Sequence, residues 1–322
     1  LVVKAGAGAG TGFLCTHKGR LFVATNQHVI KGGKSLEIEG PTGEKFRPLN
    51  IIAARNVDIV LIGVLPGAEA RRPLVFAENV EEVVTKGDAI LVAGNSKGDG
   101  VITVTAGTVT GLGPQKLEVD CAVSAGHSGS PIFHVKTREI IGLITEDRVI
   151  TPVGSVDPGS FKDGPPKLKT EVRRFGHRFD TAENWYVLNA HDFRRHSDLM
   201  QKVASEMDAV EAFFHAAEAS DWKHVRELQS AVKTAGQVIT VEKLSAADRT
   251  KAWASLTGTL RSLSSRGVRA LEERRPALTC TQIRDLENLG QRSEYLLQLC
   301  DILASDMQAA SALVSRGRKA GP

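Results

Sequence analysis

Cysteine is scarce in this chain, with four among 322 residues, and aromatic side chains make up only 5%. So few thiols exclude a disulfide-stapled scaffold, which packs many cysteines into a short chain. Cys280 and Cys300 fall in what reads as one helix, where a rise of about 1.5 Å per residue holds them about 30 Å apart, beyond bridging distance. Four free, buried thiols are therefore expected, which mildly favours a reducing compartment. An excess of one charge is also missing, since 41 basic side chains face 37 acidic ones for a net +4. That balance argues against a nucleic-acid partner, which usually leaves a concentrated basic patch. No apolar run approaches the roughly 20 residues that span a bilayer. There is no His-Glu-x-x-His and no paired cysteine spacing, so neither a metal site nor a cofactor is expected. The opening Lys4–Gly12 is glycine-rich, but no G-x-G-x-x-G register fits it and no P-loop lysine follows. Because the chain opens on Leu1, it is expected to be a processed or truncated form, and its compartment is not legible.

What is present changes character along the chain. From Gly12 to about Thr151 short β-branched runs alternate with glycine-marked turns (RLFVATN, DIVLIGV, AILVAG, PIFHV), the pattern of an all-β barrel or sandwich. A proline- and glycine-rich stretch, 154–170, reads as a linker or long loop. From 171 to 322 the chain reads as helical, with one last strand expected near 184–190. Trp253, Leu256, Leu260 and Leu263 form one apolar stripe at helical spacing. Leu286, Leu289, Leu296, Cys300, Leu303 and Met307 form another, with Ser293 in the missing step. Pro276 separates these two helices, and Asp221 and Ser245 are expected N-caps. Trp222 and Trp253 read as core. Basic pairs (Arg173-Arg174, Arg194-Arg195, Arg274-Arg275) and the run 316–319 read as solvated faces.

Three segments carry chemistry. In SAGHSGSPIF, Ser128 sits between Gly126 and Gly129, where glycine permits a tight turn that exposes a hydroxyl and converges backbone N–H groups on one point. In ATNQHVI, His28 lies at a strand end, as a catalytic base must. In NVDIVLIGV, Asp58 opens an aliphatic run, an awkward place for a carboxylate without a partner such as a histidine N–H.

The order His28, Asp58, Ser128, with GTGFLC, ATNQHVI, NVDIVLI, AGHSGSPIF and REIIGLITE, resembles the trypsin-like peptidases, nearest the bacterial HtrA-type and glutamyl-endopeptidase branches. The resemblance covers about residues 6 to 150. It implies a mainly β, two-barrel, chymotrypsin-like protease domain over 1–153, followed by an α-helical bundle. It further implies a Ser-His-Asp triad working through an acyl-enzyme on a protein or peptide substrate, with the amides of Gly126 and Ser128 as the oxyanion hole. His127 stands where trypsin carries Asp and related bacterial enzymes Asn. Ala122 stands where a trypsin-type pocket places Asp. Val123 and Ile144 stand where glutamate-specific relatives place Thr and His, with Thr145 next in line. That neutral set implies cleavage after small or aliphatic residues. The helical part would bind a regulator or mediate oligomerisation. Two other readings stay open, a catalytically silent scaffold on the peptidase fold and a protease inactive until a partner engages the helices.

Overall fold

A computed structural model describes the chain except residues 7, 33–34, 66–71, 97–99, 151–170, 219–257, 259–260, 263–264 and 320–322. The side chains of 146–150, 171, 213–218, 303–304 and 306–319 are also outside the described residues. The expected linker 154–170, the caps Asp221 and Ser245, Trp222 and the stripe Trp253–Leu263 therefore lie outside the description, as do the side chains of Leu303, Met307 and 316–319.

The chain divides into two compact units, the first comprising Leu1–Arg194 with Thr279–Thr281 and the second the remainder. In the first unit the short apolar runs do form antiparallel strands. One sheet has the order β2 (Gly8–Thr11), β1 (Val2–Ala5), β5 (Leu36–Glu39), β6 (Lys45–Phe46). A second has the order β15 (Tyr186–Val187), β7 (Pro48–Ala53), β8 (Val60–Val64), β4 (Arg20–Thr25), β3 (Phe13–His17). The β3–β4 hairpin turns on Lys18 and Gly19, both at positive φ, 49° and 72°. That is the primed geometry whose twist matches the flanking strands. β8, between β7 and β4, is buried along its whole length, which explains its unbroken aliphatic sequence.

After helix α1 (Val80–Val83) the chain forms a closed barrel. Its order is β10 (Ile102–Leu112), β11 (Lys116–Val119), β14 (Glu171–Arg178), β13 (Glu139–Ile150), β12 (Pro131–His134), β9 (Ala89–Asn95). Ile90, Val92, Leu117, Ile132 and Ile141 share its core, each at most 1% exposed. Each such side chain contributes about 1.5–3 kcal/mol by leaving water.

Two expectations are corrected. Among the described residues only the second half of the β unit closes as a barrel; the first half is two sheets wrapped on a shared core that includes Val3, Val23, Val29, Ile38 and Ile62. The β-rich part also does not end at residue 153, because β14 completes the barrel between β11 and β13. The sequence EVRRFGHR hides this strand, since two of its arginines, Arg173 and Arg178, are paired. Arg173 grips Glu118 with two hydrogen bonds of 2.6 Å. Arg178, only 3% exposed, binds Asp180 and Glu81. The strand expected near 184–190 is β15, an edge strand of the second sheet and so part of the first unit.

In the second unit, α2 (Ala190–Glu218), the helical stretch 265–272 and α3 (Cys280–Lys319) contribute to one apolar core. Met200, Val203, Met207, Val210, Leu271, Leu286, Leu289, Leu296 and Cys300 form it. Ser293, 5% exposed, fills the gap in the stripe as expected. Pro276 sits in a 3₁₀ turn, Arg275–Ala277, ahead of α3. No described helix is long and apolar enough to cross a membrane.

Candidate active site

His28 begins a short 3₁₀ turn, His28–Ile30, directly after β4. Val29 and Ile30 are buried and anchor the turn, while 28% of the His28 side chain remains exposed. The two polar residues before it are fully buried and hydrogen-bonded. Asn26 Nδ2 donates to the Asp58 carbonyl at 2.7 Å, and Gln27 Nε2 donates to the carbonyls of Ala54 and Val57 at 2.8 and 2.9 Å. The His28 turn is thus tied to the approach to β8, and Asp58 is carried beneath the imidazole.

Asp58 is 2% exposed. His28 Nδ1 lies 2.6 Å from its Oδ2, and the His28 backbone N–H donates to Oδ1 at 3.1 Å. A carboxylate only accepts, so Nδ1 carries the proton and a neutral His28 keeps the lone pair of Nε2 free. Thr145 also donates to Oδ2, at 3.3 Å. Burial pushes the Asp58 carboxyl up, but the charge and hydrogen bonds of His28, with His177 nearby, outweigh it and hold the carboxyl below its ordinary value.

Ser128 lies on the loop between β11 and β12, within two successive tight turns. The first closes from the His127 N–H to the Ser124 carbonyl with Gly126 at φ 91°, the second from the Ser130 N–H to the His127 carbonyl with Gly129 at φ 82°. Positive φ at the third position defines the type II turn. Gly129 admits no other residue, because a Cβ there would sit 2.2 Å from the Thr11 carbonyl and 2.4 Å from Thr25 Oγ1. Gly129→Ala is therefore expected to cost about 3 kcal/mol or more in a urea titration. Gly100→Ala, at φ 84° with open space around it, should cost only about 1 kcal/mol.

Thr11 holds this loop to the His28 segment. Its N–H donates to the Ser128 carbonyl (2.8 Å), its hydroxyl donates to the Gly126 carbonyl (2.9 Å), and its carbonyl accepts from Thr25 Oγ1 (2.7 Å). Thr25 ends β4, three residues before His28. A Cβ on Gly10 would meet both Val29 and the Ser128 carbonyl within 3.0 Å, so the two segments approach each other closely there. The structure therefore joins His28 and Asp58 by hydrogen bonds and ties the Ser128 carbonyl, through Thr11, to Thr25 at the end of β4. Among the described residues the Ser128 hydroxyl makes no hydrogen bond, and the N–H groups of Gly126 and Ser128 donate to no acceptor. The neighbouring N–H groups of His127, Gly129 and Ser130 are all engaged. His127 is 2% exposed, with Nδ1 3.2 Å from both the N–H and the carbonyl of Ser124, so its ring braces the first turn.

The residues expected to line a substrate pocket are placed differently from one another. Val123 and Ile144 pack in the barrel core, Ala122 is exposed, and Thr145 turns its hydroxyl to Asp58. No disulfide joins the four cysteines, of which three are buried while Cys280 is half-buried. Burial pushes the Cys15 thiol up to about 12, which leaves it a poor nucleophile. Among the described residues no cluster of histidine, cysteine and carboxylate side chains could hold a metal ion.

Sequence reasoning missed Asn26, Gln27 and Thr11. The one signal it had was polar residues flanking His28 inside an otherwise apolar segment.

Residues 10–143 match the family model of the trypsin-like peptidase domain. The match takes in His28, Asp58 and Ser128. Among curated proteins the chain is 30% identical over 153 residues to a probable periplasmic serine endoprotease, DegP-like, of Brucella suis, covering 45% of this chain and 28% of that protein. It is 29% identical over 154 residues to the similarly named protein of Rhizobium meliloti, covering 45% and 29%. The match thus spans under a third of these relatives' length. The crystal structure of the serine endoprotease from Yersinia pestis overlaps 45% of this chain and 52% of that one at 23% identity, with a TM-score of 0.38.

Proposed function

We propose that the protein is a serine endopeptidase. The observation that carries this reading is the 2.6 Å bond from His28 Nδ1 to a buried, ionised Asp58, which leaves Nε2 as a base on a partly exposed ring. In the reaction Ser128 Oγ attacks the scissile carbonyl as Nε2 takes its proton. Asp58 stays ionised and stabilises the imidazolium. The idle N–H groups of Gly126 and Ser128 receive the oxyanion. The proton passes from Nε2 to the leaving amine, and water then releases the acyl group by the same path. Catalytic hydrogen bonds are often long before substrate arrives, so an unbonded Ser128 hydroxyl fits a site at rest.

The same unbonded hydroxyl supports a second reading, a peptidase that stays silent until a partner engages the helical unit. Sustained cleavage of an unfolded, alkylated protein by the purified chain alone would support constitutive activity. Cleavage only after addition of a second component would support the silent form.

Specificity is assigned to a neutral pocket, because the exposed Ala122 offers no charge to a Lys, Arg or Glu side chain and the sequence expectation for Val123 and Ile144, which pack in the barrel core, adds none. On a peptide library, cleavage should follow small or aliphatic residues, and a preference for Lys, Arg or Glu would overturn the assignment. The helical unit, in this account, docks a regulator or joins copies of the chain.

A further inference from the structure

The chain returns to the first unit at Thr279–Thr281, where α3 begins. Thr281 is 2% exposed, and its hydroxyl lies 3.1 Å from Asp58 Oδ1 and 3.0 Å from Gln27 Oε1. Both neighbours can only accept. Asp58 is a carboxylate, and the Gln27 amide is oriented by Nε2 donating to the Ala54 and Val57 carbonyls. The Thr281 hydroxyl is therefore a donor whichever neighbour it chooses. Cys280 Sγ, 3.3 Å from Gln27 Oε1, is itself a donor to that oxygen. With Gln27 so served, the Thr281 proton goes to the carboxylate, the stronger acceptor.

Asp58 then carries two donors on each oxygen. The His28 N–H and Thr281 hydroxyl reach Oδ1, and His28 Nδ1 and the Thr145 hydroxyl reach Oδ2. A carboxylate held on both oxygens cannot turn about its Cβ–Cγ bond without breaking a charge-assisted bond, and the imidazole orientation follows it. Thr281 stands 223 residues from Asp58 along the sequence, and outside the stretch that matches the peptidase-domain model.

We propose that Thr281 is a positioning residue of the active site, acting through Asp58 on His28. The inference rests on the peptidase reading above. It means that the start of α3, far beyond the matched domain, supplies part of the machinery that orients the base.

The test uses the full chain, with Thr281→Val to remove the hydroxyl at nearly constant volume and Thr281→Ser to keep it. Thr281→Val should lower kcat about tenfold, the weight of one hydrogen bond to a charged group, with KM unchanged. It should also raise the acid limb of the pH–rate profile, because a carboxylate short of one donor holds the His28 imidazolium more tightly. The other titratable groups acting on this carboxylate or its neighbours, His177 and the Cys280 thiol, remain in both variants. Thr281→Ser should restore both values. If Thr281→Val does not fold, Thr281→Ala gives the same comparison.

A folded Thr281→Val variant with wild-type kcat and an unmoved acid limb would overturn the positioning role. So would a Thr281→Ser variant as impaired as Thr281→Val, since packing would then explain the loss. A wild-type chain without turnover or reaction at Ser128 would overturn the peptidase reading first, and the positioning role with it.

Discussion

Ser128→Ala is expected to lower kcat/KM for peptide hydrolysis by roughly 10⁴- to 10⁶-fold while leaving the urea midpoint unchanged. The size follows from the role, since the loop's other unburied hydroxyl, Ser124, lies at the head of the first turn with its Oγ 3.3 Å from Ser96 Oγ. Ser130 is fully buried, and Cys121, 1% exposed, is a buried thiol with no loop glycine beside it. The neutrality toward folding follows from the contacts. The Ser128 hydroxyl makes no hydrogen bond among the described residues, and what the fold uses is its backbone carbonyl, bound by the Thr11 N–H, which alanine retains. Retention of more than about one per cent of activity would mean that another nucleophile does the chemistry.

Asp58→Asn is the second large effect, expected to cost about 10⁴-fold in kcat. An asparagine amide has one accepting oxygen and one donating nitrogen, yet the groups converging on Asp58 all donate. The amide either loses its bond to His28 Nδ1 or forces the imidazole into the tautomer that protonates Nε2, and both remove the base. Stability should change with pH in a matching way. The folded state holds the Asp58 carboxyl below its unfolded value, so the folded protein binds fewer protons there than the unfolded chain. That stabilisation is present above about pH 4 and is lost as pH falls through the lower folded value. Urea titrations between about pH 2 and 5 should show the wild type losing stability relative to Asp58→Asn as the solution is acidified. Parallel curves would contradict the assigned ionisation.

The legible parts of this chain were those set by local chemistry. One glycine-marked turn closes the β3–β4 hairpin, with positive φ at Lys18 and Gly19. NVDIVLIGV placed a carboxylate in need of a partner at the head of an aliphatic run; His28 Nδ1 lies 2.6 Å from that carboxylate, and the run forms the fully buried β8. The glycines of SAGHSGS marked the two turns that present Ser128.

What stayed hidden was set by distant partners. β14 falls in the part that reads as helical, with Arg173-Arg174 as a solvated face, because Glu118 and Glu81, which bind Arg173 and Arg178, lie far off in the sequence. Thr145 looked like a pocket residue, and only the folded register turns it to Asp58. Thr281 carries no local signal at all, since nothing in TCTQ at the head of a helix says that a hydroxyl will meet a carboxylate 223 residues away. The strand pattern left barrel and sandwich open and the resemblance implied two barrels, because alternation specifies faces while closure depends on which edges pair.

The central claim is an activated Ser128 beside a working oxyanion hole. Treating the full native chain with a fluorophosphonate and locating the adduct by peptide mass spectrometry tests it directly. The account predicts one adduct, on Ser128, absent from Ser128→Ala. No adduct on the native chain, or one on any other residue, would contradict it.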